Sequence, residues 1–377
     1  MSHWPGKYVI GLTGNIATGK SVVRRMLEHL GAYTIDADAL SHRAIAKGAP
    51  GYQQVLDEFG KWMLDKDGEI DRTKLGRLVF NDPEALRQLE SIIHPLVRQG
   101  VDLLARRAKQ SVIVVEAIKL LEGELRKVCD TIWVTDAPQD VQVSRLMRKR
   151  AMSREEALQR VRSQSAQSNK VAAANVVIHN SGSYETLWEQ VMNEWKKIAP
   201  SDETVPLVRK VKSGDLEIQR GRPRDSKPIA AMMTRSSKGQ RQWTSSDVMA
   251  AFGDKAFMLL KMGDELVGLA GWQVENLVAR TTDLYMEEGI DARAGLQALM
   301  REVERASRDL QCEASLVFPD ERLADHASAW NELGYERRAP DALGVQAWQD
   351  AAAESMPAGG STLYFKQLRK DRVLRPI

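Results

Sequence analysis

Eight residues near the N-terminus constrain this chain more than any others. They are Gly14-Asn15-Ile16-Ala17-Thr18-Gly19-Lys20-Ser21, and they fit the pattern G-x-x-x-x-G-K-[ST]. An apolar, strand-like run at 8–12 precedes them. Residues 22–30 follow, with apolar side chains at helical spacing and a natural stop at Gly31. Strand, glycine turn and helix together make a phosphate-binding loop. Glycines let the backbone curl so that its N–H groups converge on phosphate oxygens at the positive end of the following helix. Lys20 is then placed to neutralise the β- and γ-phosphates, and the Ser21 hydroxyl to ligate Mg²⁺. The expectation is a chain that binds ATP with Mg²⁺ through residues 14–21.

Length and charge limit what surrounds this loop. A chain of 377 residues exceeds one typical core, so two domains are expected, and 43 % apolar residues suffice to fill them. The 54 basic and 51 acidic residues leave a formal charge of +3, which recommends neither nucleic acid nor a membrane surface as partner. Cys129 and Cys312 are the only cysteines, a usage suited to a reducing compartment. No apolar run has the length of a membrane span, and Met1–Gly6 lacks the basic and apolar regions of a signal peptide. The expected place is cytoplasmic, and the oligomeric state stays open.

Up to residue 198 the pattern alternates strand and helix. Strand-like runs stand at 32–35, 111–115, 131–134 and 175–178, with long helical stretches at 83–108 and 139–149. This alternation predicts an α/β fold with a parallel sheet, whose ligand site lies at the carboxyl ends of the strands. Residues 199–214 are polar and Pro-bearing and read as a linker. Residues 215–377 are expected to form a smaller mixed α/β domain. Its strands are predicted at 216–220, 256–261, 265–272, 281–286, 314–318 and 361–368, and its helices at 227–235, 245–252, 292–310 and 324–333.

Three further clusters bear on the chemistry. Asp36 and Asp38 follow the second strand, where one carboxylate can orient an acceptor or Mg²⁺ water and the other can take a proton. Aspartates also cap helices, and Asp38 can equally open the next one. His94-Pro95 predicts a bend within or between helices, because the residue before proline is held out of the α region. As a bare residue His94 reads as a buried structural histidine. Arg145, Arg148, Lys149 and Arg150 form a basic helix segment, either a lid that closes over phosphates or a solvated face.

In this order the motifs resemble the dephospho-coenzyme A kinase family. The matching residues are Gly11-Leu12-Thr13 through Ser21, Ile35-Asp36-Ala37-Asp38, Ile93-His94-Pro95, and Gln142…Arg145-Leu146. Two later runs also match, Ser153…Gln164 and Val177-Ile178-His179-Asn180-Ser181-Gly182. The resemblance covers about half the chain. It implies a P-loop fold with a helical lid and an acceptor-binding insert. It also implies transfer of the ATP γ-phosphoryl group to the ribose 3′-hydroxyl of dephospho-CoA. Asp38 would match the base, with Lys20 and Arg145 on the phosphates. Thr13, Asp36, His94 and Pro95 would stand beside the acceptor, and Arg145, Arg148, Lys149 and Arg150 would form the lid. Two other readings remain open from the residues: a P-loop kinase of another small nucleotide or alcohol, and an ATP-binding regulator with an acyl-CoA-sensing second half.

The chain departs from the family's usual pattern at several places. Asn15 and Ala17-Thr18 replace the usual Gly and Gly-Ser of the loop, and Asn15 is expected to tolerate a left-handed backbone. The usual Pro-Leu-Leu-Phe-Glu segment reads Ile118-Lys119-Leu120-Leu121-Glu122, so the acceptor contacts there are left open. Lys149 stands where a lid arginine is usual, and Asn175 where an Asp is usual.

The second half resembles the GCN5-related N-acetyltransferase fold in its order of elements. Where that family cradles a pyrophosphate with glycines, this chain reads Glu287-Glu288-Gly289-Ile290-Asp291. Acidic residues there are expected to repel the ligand, so the second half is read as a degenerate, non-catalytic module, with an active acetyltransferase as the alternative.

Overall fold

Alternating side chains sort the first half into two layers around a parallel sheet. The computed structural model describes residues 3–199, 209–210, 216–237, 241–357, 360–371 and 373–374. The strands are β1 (Tyr8–Thr13), β2 (Tyr33–Asp36), β3 (Val112–Glu116), β4 (Thr131–Asp136) and β5 (Val176–His179), all parallel, in the order β2-β3-β1-β4-β5. Each of the five predicted strand runs is present. The helices are α1 (Lys20–His29), α2 (Ala37–Ala44), α3 (Pro50–Phe59), α4 (Arg72–Asn81), α5 (Pro83–Arg107), α6 (Gln139–Arg150), α7 (Arg154–Arg162), α8 (Gln167–Ala172) and α9 (Tyr184–Ile198).

The period of two along the strands decides which helices cover which face. Ile10, Leu12, Val112 and Val114 point to one side, where they pack with Val23, Met26 and Leu27 of α1 and Leu187 and Val191 of α9. Val9, Ile113 and Val115 point to the other, onto Leu40 of α2 and Val97, Val101 and Leu104 of α5. A separate cluster under α3 and α4, with Val55, Met63 and Leu75, forms an insert beside the sheet. Helix α5 starts on the Asp82 cap with Pro83 at its first position and runs unbroken through Pro95. The bend expected at His94-Pro95 is therefore not a break between helices. Twenty-five residues anchored on the sheet outweigh the one backbone bond that Pro95, having no N–H, cannot give to the Ser91 carbonyl.

The second half is built on one mixed sheet. Its elements are β6 (Arg209–Lys210), β7 (Leu216–Arg220), α10 (Ser226–Ser236), α11 (Ser245–Ala251), β8 (Ala256–Met262), β9 (Glu265–Glu275), β10 (Val278–Met286), α12 (Ala292–Asp309), β11 (Ala314–Val317), α13 (Glu321–Ala324), α14 (Ala327–Leu333), β12 (Glu336–Arg337), α15 (Gln346–Ser355) and β13 (Tyr364–Gln367). The order is β12-β13-β11-β10-β9-β8-β7-β6, with β10 and β11 parallel and every other pair antiparallel. Most of the expected linker, residues 200–208 and 211–214, lies outside the described residues; Arg209–Lys210 within it pairs with β7. Helix α15 was not expected. Its Ala-rich sequence carries little periodic signal, and Trp348, Ala351 and Ala352 settle on Leu316 and Phe318 only through tertiary packing.

The two halves share a core. Val373 from the C-terminal end is buried in the same cluster as Trp4, Val9 and Val101, and Leu277, Leu310 and Leu374 pack against it. Polar contacts cross the boundary too. Gln311 Nε2 donates to Leu104 O at 2.9 Å, and a His29 ring nitrogen meets Phe252 O at 3.0 Å.

Candidate active site

The phosphate loop joins β1 to α1 at the carboxyl end of the central strand, as a parallel sheet requires. Two of its glycines are there for space. A Cβ at Gly14 would lie 2.3 Å from Thr135 Oγ1, and one at Gly19 would lie 1.9 Å from Asn180 Nδ2. Both also have positive φ, 151° and 99°. The left-handed tolerance expected of Asn15 is not used, since the non-glycine residue with positive φ in the loop is Ala17, at 60°. Asn15 instead ties the loop sideways, its Nδ2 donating to Ser165 O at 2.8 Å.

The loop amides already hold oxygen atoms. Ile16 N donates to Gln164 Oε1 at 2.6 Å and Asn15 N to Gln167 Oε1 at 3.1 Å. These side-chain carbonyl oxygens sit where a phosphate-binding loop offers its N–H groups, so the backbone is poised for an acceptor of that kind. Lys20 curls back over the loop, with Nζ on Gly14 O at 3.0 Å. Thr18 Oγ1 is braced by Asn15 O at 2.8 Å and Thr135 Oγ1 at 2.7 Å. Ser21 is exposed in the first turn of α1.

Of the expected lid cations, Arg145 is spent on the loop. Its guanidinium donates to Ala17 O at 3.1 Å, and to Asn180 O and Oδ1 at 2.9 and 3.0 Å. Asn180 Nδ2 in turn donates to Thr18 O at 2.9 Å. Arg148 and Arg150 are exposed, whereas the Lys149 side chain lies outside the described residues. Leu146, Val143 and Ala157 form a small core with Ile16 and Ala17, which seats α6 and α7 directly on the phosphate loop.

Asp36 and Asp38 divide their work. Asp36 is the cap of α2, accepting from Ala39 N at 2.8 Å. The capping role considered for Asp38 therefore belongs to its neighbour. Asp38 lies in the first turn of α2, where its carboxylate accepts from Ile118 N, at 3.1 Å to Oδ2. Burial, then the charge of Asp36, pushes the Asp38 carboxyl above the usual carboxylate range. The Ile118 peptide is a junction, because its carbonyl accepts from Thr13 Oγ1 at 3.1 Å and from Lys170 Nζ at 2.6 Å. The departure at 118 thus matters through the backbone: a proline there has no N–H to give Asp38. Thr13 is fully buried.

Asp38 also lines a cleft of about 650 Å³, whose walls include Trp4, Val97, Lys119 and Leu125 together with His94 and Pro95. His94 is exposed on that wall, so the reading of it as a buried structural histidine fails. Asp38 and the exposed face of α5 therefore enclose one space. The cleft has room for a drug-sized, partly apolar ligand.

Two site residues escape sequence reasoning. Glu116 ends β3, in register with Leu12 just before the loop, and its carboxylate meets Arg24 Nε at 2.7 Å. Burial pushes its carboxyl up to about 7 against the pull of Arg24. A carboxylate at the end of the strand beside the loop strand is a readable signal, since P-loop enzymes place a metal-orienting acid there. Lys170, with 3 % exposure, is the other; a lone lysine in a polar helix gives no sequence signal. Asn175 performs what its usual Asp could, since its Oδ1 accepts from Ile132 N at 2.8 Å.

In the second half, the N-terminus of α12 is filled by its own side chain. Asp291 Oδ1 accepts from Arg293 N and Ala294 N at 3.0 and 3.2 Å, and Glu287 is paired with Arg235 at 2.6 Å. Among the described residues no helix is long and apolar enough to cross a membrane.

A family profile described as Dephospho-CoA kinase matches residues 8–186. The chain is 43 % identical over 194 residues to the dephospho-CoA kinase of Carboxydothermus hydrogenoformans, a match covering 50 % of this chain and 94 % of that protein. It is also similar to the crystal structure of TT1252 from Thermus thermophilus, at 32 % identity over 52 % of this chain and 99 % of that one, with a TM-score of 0.47. An acetyltransferase of GNAT family from Staphylococcus aureus MU50 is similar at 11 % identity, over 41 % of this chain and 99 % of that one, with a TM-score of 0.33.

Proposed function

The chain belongs to the dephospho-CoA kinase family, and on that premise we propose a role for each group in the transfer of the ATP γ-phosphoryl to the ribose 3′-hydroxyl of dephospho-CoA, giving CoA and ADP. This is the last step of coenzyme A biosynthesis. The observation that carries the reading is the Asp38 carboxylate, held on Ile118 N at the wall of a 650 Å³ cleft that also exposes His94.

In the transfer, the acceptor oxygen forms its bond to the γ-phosphorus as the bond from that phosphorus to the β-phosphate oxygen breaks. Asp38 accepts the proton of the 3′-hydroxyl, a task its raised pKa suits. Asp36 keeps α2 in register, and His94 and Pro95 border the acceptor. The amides of residues 14–21 and the Lys20 ammonium receive the phosphates once Gln164 and Gln167 yield those amides. Arg145 braces the loop carbonyl at Ala17, and the exposed Arg148 and Arg150 are free to reach the phosphates. Mg²⁺ needs only one or two protein oxygens besides phosphate and water, and the Ser21 hydroxyl, exposed in the first turn of α1, would supply one. When bound, it would supply positive charge that offsets the charge of the phosphates. The chemistry is mostly positioning and charge neutralisation. Free Cys129 and Cys312 accord with a cytoplasmic place.

The second half is read as non-catalytic, because the Asp291 carboxylate already satisfies the α12 amides that an acetyl-CoA pyrophosphate would need. One preparation tests both parts. The full chain with Mg-ATP and dephospho-CoA is expected to yield CoA by mass. Lys20→Ala and Asp38→Asn are each expected to cost about 10²–10⁴ in kcat. ATP binding without CoA would overturn the kinase reading, and acetyl transfer from acetyl-CoA to an amine would overturn the non-catalytic second half.

A further inference from the structure

Helix α2 carries Asp38 in its first turn, yet it is only eight residues long. A helix of that length has little stability of its own, so its position is set by what grips its two ends. At the first end is the Asp36 cap. At the other end is Arg43, and its partners belong to the second half. Arg43 Nη1 donates to Asn276 O at 2.5 Å, and Nη2 is paired with the Glu313 carboxylate. Both ends of the pair are out of water, the Arg43 side chain 8 % exposed and that of Glu313 0 %.

The grip is built rather than incidental. Asn276 and Leu277 form the tip between β9 and β10, with left-handed φ of 51° and 59°, a geometry that turns the Asn276 carbonyl onto α2. Glu313 Oε1 also accepts from Val373 N at 3.0 Å, which draws in the C-terminal segment. Leu374 from that segment meets Leu40 of α2 over Gly100, where a Cβ would lie 3.4 Å from each. Residues 276, 313 and 373 all lie beyond the span 8–186 that matches the kinase family.

We propose that the second half is a positioning device for the kinase reaction: the clamp of Glu313 and Asn276 on Arg43 fixes α2 so that Asp38 meets the acceptor hydroxyl. This rests on the role given to Asp38 above. Arg43 and Glu313 are positioning residues that act through α2. Five residues of helix, about 7.5 Å at 1.5 Å per residue, separate Arg43 from Asp38, so a shift at one end is transmitted to the other.

The test is steady-state kinetics on the full chain with Arg43→Met, Arg43→Lys, Glu313→Gln, Gln311→Ala and Asp38→Asn. Arg43→Met and Glu313→Gln are expected to lower kcat by about 10- to 100-fold while KM for ATP stays within about twofold, because the phosphate loop is carried by β1 and α1. Arg43→Lys keeps a cation and is expected to recover part of kcat. Gln311→Ala breaks a different buried bond between the halves, to Leu104 O, and is expected to lower Tm with kcat kept. Folded Arg43→Met with native kcat would overturn the proposal, and so would Gln311→Ala losing as much kcat as Arg43→Met. If Arg43→Met does not fold, Glu313→Gln, which keeps the side-chain shape, decides the matter by the same kcat criterion. Native turnover by Asp38→Asn would instead overturn the role of Asp38, an outcome separate from the clamp.

Discussion

The chemistry proposed for the site turns on two aspartates two residues apart. Asp36 is occupied by the Ala39 amide, and among the described residues Asp38 accepts from the Ile118 N–H, at 3.1 Å to Oδ2 and 3.4 Å to Oδ1, which leaves the more loosely held Oδ1 for a hydroxyl proton. As the proposed base, Asp38 has to be ionised, so kcat/KM for the acceptor is expected to fall as pH drops through its raised pKa. The acid limb is thus expected above the ordinary carboxylate value of about 4. Asp36→Asn keeps a capping side chain but removes the neighbouring charge, so the limb is expected to move to lower pH. Ile118→Pro removes the N–H that favours the ionised form, so the limb is expected to move up. A pH–rate profile for each variant checks both signs, and a limb that stays put in both would detach it from Asp38. The pair was legible in the sequence. The resemblance gave Asp38 the part of base; that Asp36 and not Asp38 caps α2, and that Asp38 meets the Ile118 N–H 80 residues away, was not legible.

At the scale of elements, the phosphate loop is held from outside by the turn between α7 and α8. Gln164 and Gln167 accept from the amides of Ile16 and Asn15, so they compete with phosphate for the same donors. Removing one such bond, worth about 1 kcal/mol net, is expected to tighten ATP binding by about fivefold in Gln164→Ala. Calorimetric titration checks it, and weaker binding would mean that Gln164 serves the bound nucleotide instead. The loop itself was readable in a single line of sequence, since strand, glycines and helix are contiguous. Its braces at Thr135, Arg145, Gln167 and Asn180 come from four separate segments and had no local signal as a group. Likewise α5 was readable as a long helix, whereas its passage through Pro95 was decided by packing on the sheet.

Over the whole molecule, the two halves share buried groups. His29 at the end of α1 is an example, set against Phe252 and Trp188 with ring centroids 5.7 and 6.3 Å away. Burial, then the charge of Arg220, lowers its pKa from 6.5 to about 3. The unfolded chain therefore binds the extra proton first. Stability is full above pH 6.5 and is lost as pH falls toward 3, with a slope of up to about 1.4 kcal/mol per pH unit for this one group. Denaturant melts between pH 7 and 5 are expected to show this loss, and His29→Gln to flatten it. An unchanged slope in that variant would place the acid sensitivity elsewhere.

The sequence by itself determined the phosphate loop, the parallel α/β class of the first half, the kinase family and the order of elements in most of the second half. The family rests on a resemblance of motifs; each of the others is written in contiguous residues or in a short repeat of apolar positions, so local propensity and periodicity suffice to read it. The tertiary structure alone decided that Lys170 joins the site, that Arg145 braces the loop, and that Arg43 reaches across to Glu313. Those contacts join residues up to 270 positions apart. Burial and register create them, and neither is a property of any one stretch of chain.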